Sequence, residues 1–306
     1  MGNNNSGAFQ GYCCFIALKM KTKITKIKNT LIKGTHDKPI LCDLFFKKNK
    51  QPKPIVIFCH GYKGFKDWGA WNLVADEFAK NNLFFVKFNF SHNGGTVEQQ
   101  IDFPDLEAFS ENNYSIELDD LESVINFSIT NANFEKEIDK KNITLIGHSR
   151  GGGIVSLKSS KHKKITRLIT WSGISDIDYC FAKDIKISLE QWEEEGVAYN
   201  INSRTLQKMP HKYQFYANYL ANKEELNIQK AVQKIEIPHL IIHGTFDKDI
   251  LPEAAKNLYK WSENSKLILI NNMGHALGNK QPWLAKKMPK DLKKVVKESI
   301  QFILKK

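Results

Sequence analysis

The sequence predicts an α/β protein built on a mostly parallel sheet with helices on both faces. Two observations carry that expectation. Short apolar runs recur along the chain, and amphipathic helical patterns fill the intervals between them. A continuous apolar run suits a strand buried on both faces, and strands alternating with helices produce a parallel sheet covered on each side. A third observation is one long interval, residues 172–236, where the alternation stops.

The elements follow in order. Residues 23–31 alternate polar with β-branched or apolar positions, and residues 40–46 are largely apolar, so they read as two strands around a turn at 34–39. Pro54 then opens the run Ile55-Val56-Ile57-Phe58-Cys59, and similar runs return at 83–90, 143–146, 168–170, 240–242 and 266–270. Between them, Trp71, Val74, Ala75 and Phe78 share one helical face, as do Leu118, Leu121, Val124 and Ile125. Leu292, Val295, Val296, Ser299, Ile300 and Ile303 mark a last amphipathic helix. Residues 172–236 are too long for one crossover and carry helical segments with many aromatics, among them Tyr179, Phe181, Trp192, Tyr199, Tyr213, Phe215, Tyr216 and Tyr219. A structureless loop of that length is uncommon, so the interval reads as a mostly helical cap inserted in the core domain.

Composition narrows the class. A chain of 306 residues with 42% hydrophobic residues is a globular chain, long enough for one domain carrying an insertion. The net charge is +12, yet Arg150, Arg167 and Arg204 are the only arginines. Bidentate recognition of phosphates and bases prefers arginine, and the lysines are scattered, so a solvated basic surface is expected rather than nucleic-acid binding. The cysteines, at positions 13, 14, 42, 59 and 180, are odd in number and show no C-x-x-C spacing. That pattern suggests a reducing, cytoplasmic setting with no disulfide framework. No apolar run approaches the ~18 residues of a membrane span.

The N-terminus stands apart. Residues 12–18 form a short apolar run without a basic segment before it or a clean cleavage site after it, so a signal peptide is not expected. Met1-Gly2-Asn3-Asn4-Asn5-Ser6 fits the N-myristoylation pattern, which is short and common by chance. Met20 is an alternative start, because a regular strand pattern begins just after it. Residues 1–20 therefore read as a disordered or mis-assigned extension. Residues 21–306 read as the domain, with the cap at about 172–236.

The chemistry centres on Gly147-His148-Ser149-Arg150-Gly151, which follows a strand pattern and precedes a helical one. A G-x-S-x-G match is informative in that strand–turn–helix context. The glycines allow a tight, strained turn that pushes the Ser149 hydroxyl out at a helix N-terminus, where N–H groups favour developing negative charge. Serine needs a base to act as a nucleophile. His275, in a glycine-flanked loop after the last strand, is the candidate. The acid belongs after the preceding strand, where Asp247 is preferred, Asp249 is the runner-up and Asp176 is a distant third. His243 and His60 follow strands directly and read as loop-organising residues. An oxyanion hole calls for two preorganised N–H donors. Arg150 supplies one as the residue after the nucleophile. Tyr62, in the loop His60-Gly61-Tyr62-Lys63-Gly64, supplies the other.

His60-Gly61, Gly147-His148-Ser149-Arg150-Gly151-Gly152, His243-Gly244-Thr245-Phe246-Asp247 and Gly274-His275, taken in order, resemble the α/β-hydrolase superfamily. The resemblance runs from about Lys21 to the end. Within the superfamily the chain is similar to small esterases and to dienelactone-hydrolase-like or prolyl-oligopeptidase-like catalytic domains. It departs from the dehalogenases and epoxide hydrolases, which use Asp, and from dienelactone hydrolase itself, which uses Cys. The resemblance implies an α/β-hydrolase fold, a Ser149–Asp247–His275 triad, and Tyr62 and Arg150 as oxyanion donors. No metal-ligand cluster, phosphate loop or dinucleotide fingerprint is present in the sequence, so no cofactor or metal is expected. The expected activity is carboxylic-ester hydrolysis on a small-molecule ester or acyl substrate. The cap aromatics suggest an aryl or apolar group on that substrate, or simply a packed cap. A peptidase of the oligopeptidase or aminopeptidase type, a thioesterase or an acyltransferase would use the same residues. A binding protein on a retired fold would not need a complete triad.

Overall fold

The computed structural model describes residues 23–305 together with the first two residues, so the extension at 1–20, with Cys13 and Cys14, lies almost wholly outside the described residues. The elements begin with β1 (Ile24–Ile32), β2 (Ile40–Lys47), β3 (Lys53–Cys59), α1 (Trp71–Lys80) and β4 (Phe84–Asn89). Next come α2 (Leu106–Glu111), α3 (Tyr114–Thr130), β5 (Ile138–His148), α4 (Arg150–Ser159) and β6 (Arg167–Trp171). The predicted insertion contains α5 (Ile177–Asp184), α6 (Leu189–Glu195), β7 (Val197–Ile201), β8 (Lys208–Lys212), α7 (Gln214–Ala221) and α8 (Ile228–Gln233). The chain closes with β9 (His239–Gly244), α9 (Pro252–Trp261), β10 (Ser265–Ile270) and α10 (Lys290–Leu304).

Eight strands form one sheet in the order β1-β2-β4-β3-β5-β6-β9-β10. The first three strands of that order pair antiparallel, and every later neighbour pairs parallel. This is the α/β-hydrolase fold. Period-two alternation divides the core. In β3, Ile55, Ile57 and Cys59 enter one cluster with α3, α4, α8 and α9, while Val56 and Phe58 enter the other with α1 and α10. The apolar residues singled out for the last helix are all buried in α10. The insertion holds one element absent from the sequence reading, the antiparallel hairpin β7–β8. Cys42, Cys59 and Cys180 are buried, unpaired thiols. Among the described residues no helix is long and apolar enough to cross a membrane.

The apolar runs of β2 and β4 conceal two charges. Asp43 and Lys87 are direct cross-strand partners, both fully buried, with Nζ 2.6 Å from Oδ2. The loop after β3 completes the cluster. Lys66 lies 3.0 Å from Asp43, and Asp67 lies 2.7 Å from Lys87 and 2.5 Å from Lys66. Burial pushes the Asp67 carboxyl up, but the two lysines outweigh it and hold the group well below the usual carboxylate range. A desolvated charge survives only when paired, so this cluster pins the β3–α1 loop to the sheet. Asp43→Ala leaves Lys66 and Lys87 short of a counter-charge. It is expected to cost about 3–5 kcal/mol. Urea unfolding followed by circular dichroism measures that loss, and a near-wild-type midpoint would contradict it.

Candidate active site

The site is built at the carboxyl end of β5. Ser149 caps α4 with φ 57° and ψ −121°, a conformation that L-residues rarely adopt. Three hydrogen bonds hold it. The Ser149 N–H donates to Trp171 O at 3.0 Å, and its carbonyl accepts from Gly152 N at 2.9 Å and Ile174 N at 3.2 Å. The turn is tight enough that a Cβ on Gly147 would lie 2.2 Å from Gly151 O. No residue but glycine fits there.

The structure brings Ser149, His275 and Asp247 together. Ser149 Oγ lies 2.9 Å from His275 Nε2, and His275 Nδ1 lies 2.9 Å from Asp247 Oδ2. An ionised carboxylate only accepts, so the Nδ1–H of His275 donates to Asp247 and Nε2 is left to accept from the serine hydroxyl. Asp247 is 2% exposed, and its Oδ1 accepts from the N–H groups of Asp249 at 3.0 Å and Ile250 at 2.9 Å. Burial pushes its carboxyl up, but hydrogen bonds from His243, His275 and Ile250 N–H outweigh burial and hold it well below the usual range. The other acids do not reach His275. Asp249 points outward to Lys183, and Asp176 caps α5 by accepting from Asp178 N. His243 stands behind Asp247, its Nε2–H donating to Ile250 O at 2.8 Å. His60 holds its own loop through Nδ1–H donating to Gly61 O at 2.9 Å, and ties that loop to the end of β4 by accepting at Nε2 from the Phe90 N–H.

Two loops converge on this centre. The β3–α1 loop crosses directly above Ser149, since a Cβ on Gly61 would lie 2.8 Å from Ser149 Cβ. Among the described residues, the backbone N–H groups of Tyr62 and Arg150 have no hydrogen-bond acceptor. Two side chains from the segment after His275 lock the loops together. Asn279 Oδ1 accepts from Ala70 N at 3.0 Å, and Gln281 Oε1 accepts from Gly69 N at 2.5 Å.

His148, to which the sequence reading gave no role, has a definite contact. The Nε2–H of His148 donates to the backbone carbonyl of His275 at 2.9 Å, and its ring packs against Trp71 and His275. Burial, aided by the His275 charge, pushes the His148 imidazole down to about 3, so it stays neutral and keeps the proton it donates. Its position inside G-x-S-x-G carries no signal for this contact, because its partner is supplied by a loop far along the chain.

A family model, BD-FAE, matches residues 42–262, well over half of the chain. The chain belongs to the BD-FAE family. No curated protein matches it. Among solved structures it is similar to Est1E from Butyrivibrio proteoclasticus with ferulic acid bound, at TM-score 0.67 and 18% identity over 90% of this chain and 98% of that one. It is also similar to a putative hydrolase from Agrobacterium vitis, at TM-score 0.67 and 16% identity over 92% and 100% of the two chains. A putative dienelactone hydrolase from Klebsiella pneumoniae matches at TM-score 0.60 and 13% identity, covering 93% and 100%. These likenesses establish the α/β-hydrolase fold.

In this BD-FAE chain a cleft of about 570 Å³ opens over Ser149 and His275. Tyr62, Trp68 and Trp71 supply its aromatic wall, and Lys63, Arg150, Lys183, Lys186 and Arg204 also line it. None of the eight cap aromatics singled out from the sequence lines this cleft. Six of them pack on one another instead, with Phe181 and Phe215 at 4.9 Å and Trp192 fully buried beside Tyr213 and Tyr216, while Tyr179 and Tyr199 are exposed. For those six the structure supports packing rather than a wall of the cleft. The Arg150 side chain, expected only for its backbone, is buried with its guanidinium 4.3 Å from the Tyr62 ring centroid and 3.5 Å from Glu117.

Two expectations follow. His148→Ala releases the His275 carbonyl. It is expected to slow labelling of Ser149 by a fluorophosphonate roughly ten- to hundredfold while the fold persists. An unchanged rate would show that the contact positions nothing. The depressed Asp247 pKa makes its contribution to stability full above about pH 4 and lost as pH falls below that value. Asp247→Asn is expected to flatten the acid limb of a melting-temperature profile.

Proposed function

We propose that this protein is a serine hydrolase that cleaves carboxylic esters through an acyl-enzyme, with Ser149, His275 and Asp247 as its triad. The observation that carries the reading is the continuous line from Asp247 through His275 to Ser149, with both links at 2.9 Å. The family match and the similarity to Est1E and to a putative dienelactone hydrolase support the choice of ester over amide.

The steps follow from the geometry. The Ser149 oxygen attacks the ester carbonyl carbon as His275 Nε2 takes the hydroxyl proton. The carbonyl π-electrons move to the oxygen, where the N–H groups of Tyr62 and Arg150 stabilise the oxyanion. Preorganised donors of this kind are worth about 3–4 kcal/mol each. Asp247 holds the imidazole tautomer and stabilises the imidazolium. The oxyanion collapses, the C–O bond to the alcohol breaks, and the imidazolium returns its proton to the departing oxygen. Water then adds to the acyl-enzyme with His275 as base, and the acid leaves as Ser149 is reprotonated. The acyl group is proposed to lie along Trp68 and Trp71, with a polar portion toward Lys183, Lys186 and Arg204, which also line the cleft.

A fluorophosphonate probe is expected to label the wild type and not Ser149→Ala. Ser149→Ala and His275→Ala are each expected to lower hydrolysis of p-nitrophenyl acetate by about 10³-fold or more. Aminoacyl p-nitroanilides are expected to turn over far more slowly than p-nitrophenyl esters. The reverse preference would replace the esterase with a peptidase, and undiminished hydrolysis by Ser149→Ala would end the proposal.

A further inference from the structure

The segment following the His275 loop forms an exposed tip beside a concentrated positive surface. Trp283 and Met288 fold back onto the core formed by α1 and α10, and the Trp283 indole N–H donates to Lys287 O at 3.0 Å, which closes the loop. Gln281 ties its base to Gly69. Between these anchors the chain turns Leu284 outward, 90% exposed, with Pro282 and Ala285 exposed beside it.

Charge is concentrated in the same place. Between positions 280 and 297 the sequence has seven lysines and one acidic residue, Asp291. All seven lysines are exposed, and among the described residues none of them forms an ion pair. Lys290, Lys293, Lys294 and Lys297 fall in the first turns of α10. That placement opposes two local preferences. A helix N-terminus carries partial positive charge and favours acids. Lysines three and four residues apart on a helix repel one another. The arrangement therefore works against the isolated helix, and an extended negative surface reverses its sign.

We propose that the loop at 280–287 and the first turns of α10 form a docking face for anionic lipid. The tip decides among negative partners. An exposed leucine between proline and alanine gains nothing against a phosphodiester groove, but it gains by entering the acyl boundary of a bilayer. A lysine field with almost no arginine is suited to diffuse attraction to headgroups rather than to bidentate reading of phosphates or bases. Because the loop is tied to Gly69 at the cleft rim, docking brings that rim to the headgroups. The inference goes beyond the proposed esterase and does not depend on it.

Co-sedimentation of the full chain with vesicles tests it. Binding to phosphatidylcholine vesicles containing phosphatidylserine is expected, with little binding to phosphatidylcholine alone and a marked fall at high salt. The double variant Lys286→Glu, Lys287→Glu is expected to lower partitioning by more than about tenfold. Leu284→Asp is expected to lower it several-fold. Both changes are on the exposed surface, so melting temperature and p-nitrophenyl acetate hydrolysis should match the wild type. Equal binding to neutral vesicles, or charge-reversed protein that still binds, would overturn the proposal. So would binding to duplex DNA without vesicle binding, or a concentration-dependent dimer abolished by Leu284→Asp with no lipid binding. Absence of ester hydrolysis in every variant would count against the esterase alone.

Discussion

The rest of the site depends on one strained residue. Ser149 sits at positive φ, a state that costs of order 1–3 kcal/mol and persists only where the surroundings over-determine it. Here they do. Its N–H is held by Trp171 on the neighbouring strand β6, and its carbonyl is held by Gly152 and Ile174. The turn backs onto Gly151 so closely that any Cβ at Gly147 would collide. The bend lies between β3 and β6, in the middle of the sheet, where neither neighbour can yield. The hydroxyl is thereby fixed in space before any partner arrives.

What arrives is delivered by loops, and loops need their own restraint. The His275 segment is held from three sides. Asp247 takes the ring, His148 takes the backbone carbonyl, and Asn279 and Gln281 reach across to Ala70 and Gly69. The β3–α1 loop is held in front by those two amides and behind by Asp43 and Lys87 through Lys66 and Asp67. Each restraint is a buried or partly buried polar or charged side chain that satisfies a group in a loop. Polar burial at the sheet's carboxyl edge thus does for the loops what apolar burial does for the strands. The cost is borne in stability, since each of these groups must keep its partner.

Much of this was legible in the chain. The apolar runs announced β3 through β6, β9 and β10, and the stripe from Leu292 to Ile303 is the buried face of α10 residue for residue. The motif Gly147–Gly151 pointed to a sharp bend because only glycine tolerates such close approach. Other features were hidden for physical reasons. The hairpin β7–β8 has only five residues in each strand and lies in a stretch read as mostly helical. Asp43 and Lys87 sit inside apolar runs, where each charge alone looks misplaced, and only the strand register makes them partners. The cap aromatics read equally as a substrate wall or a core, because a side chain's facing is set by packing and not by composition. His148 gave no sign of its contact with His275.

The sequence by itself determined the alternation of strands and helices, the bend that presents Ser149, and the order in which an acid and a histidine follow it. Periodicity and the steric demands of glycine are local properties, so a linear string records them. Only the tertiary structure decided that Asp247 rather than Asp249 faces His275. It alone decided that Trp68 and Trp71 line the cleft while Phe181 and Trp192 do not, and that His148 braces the histidine loop. Those outcomes depend on distances between segments many residues apart, which are set when the sheet closes its register and the loops find the only places where their buried polar groups can be satisfied.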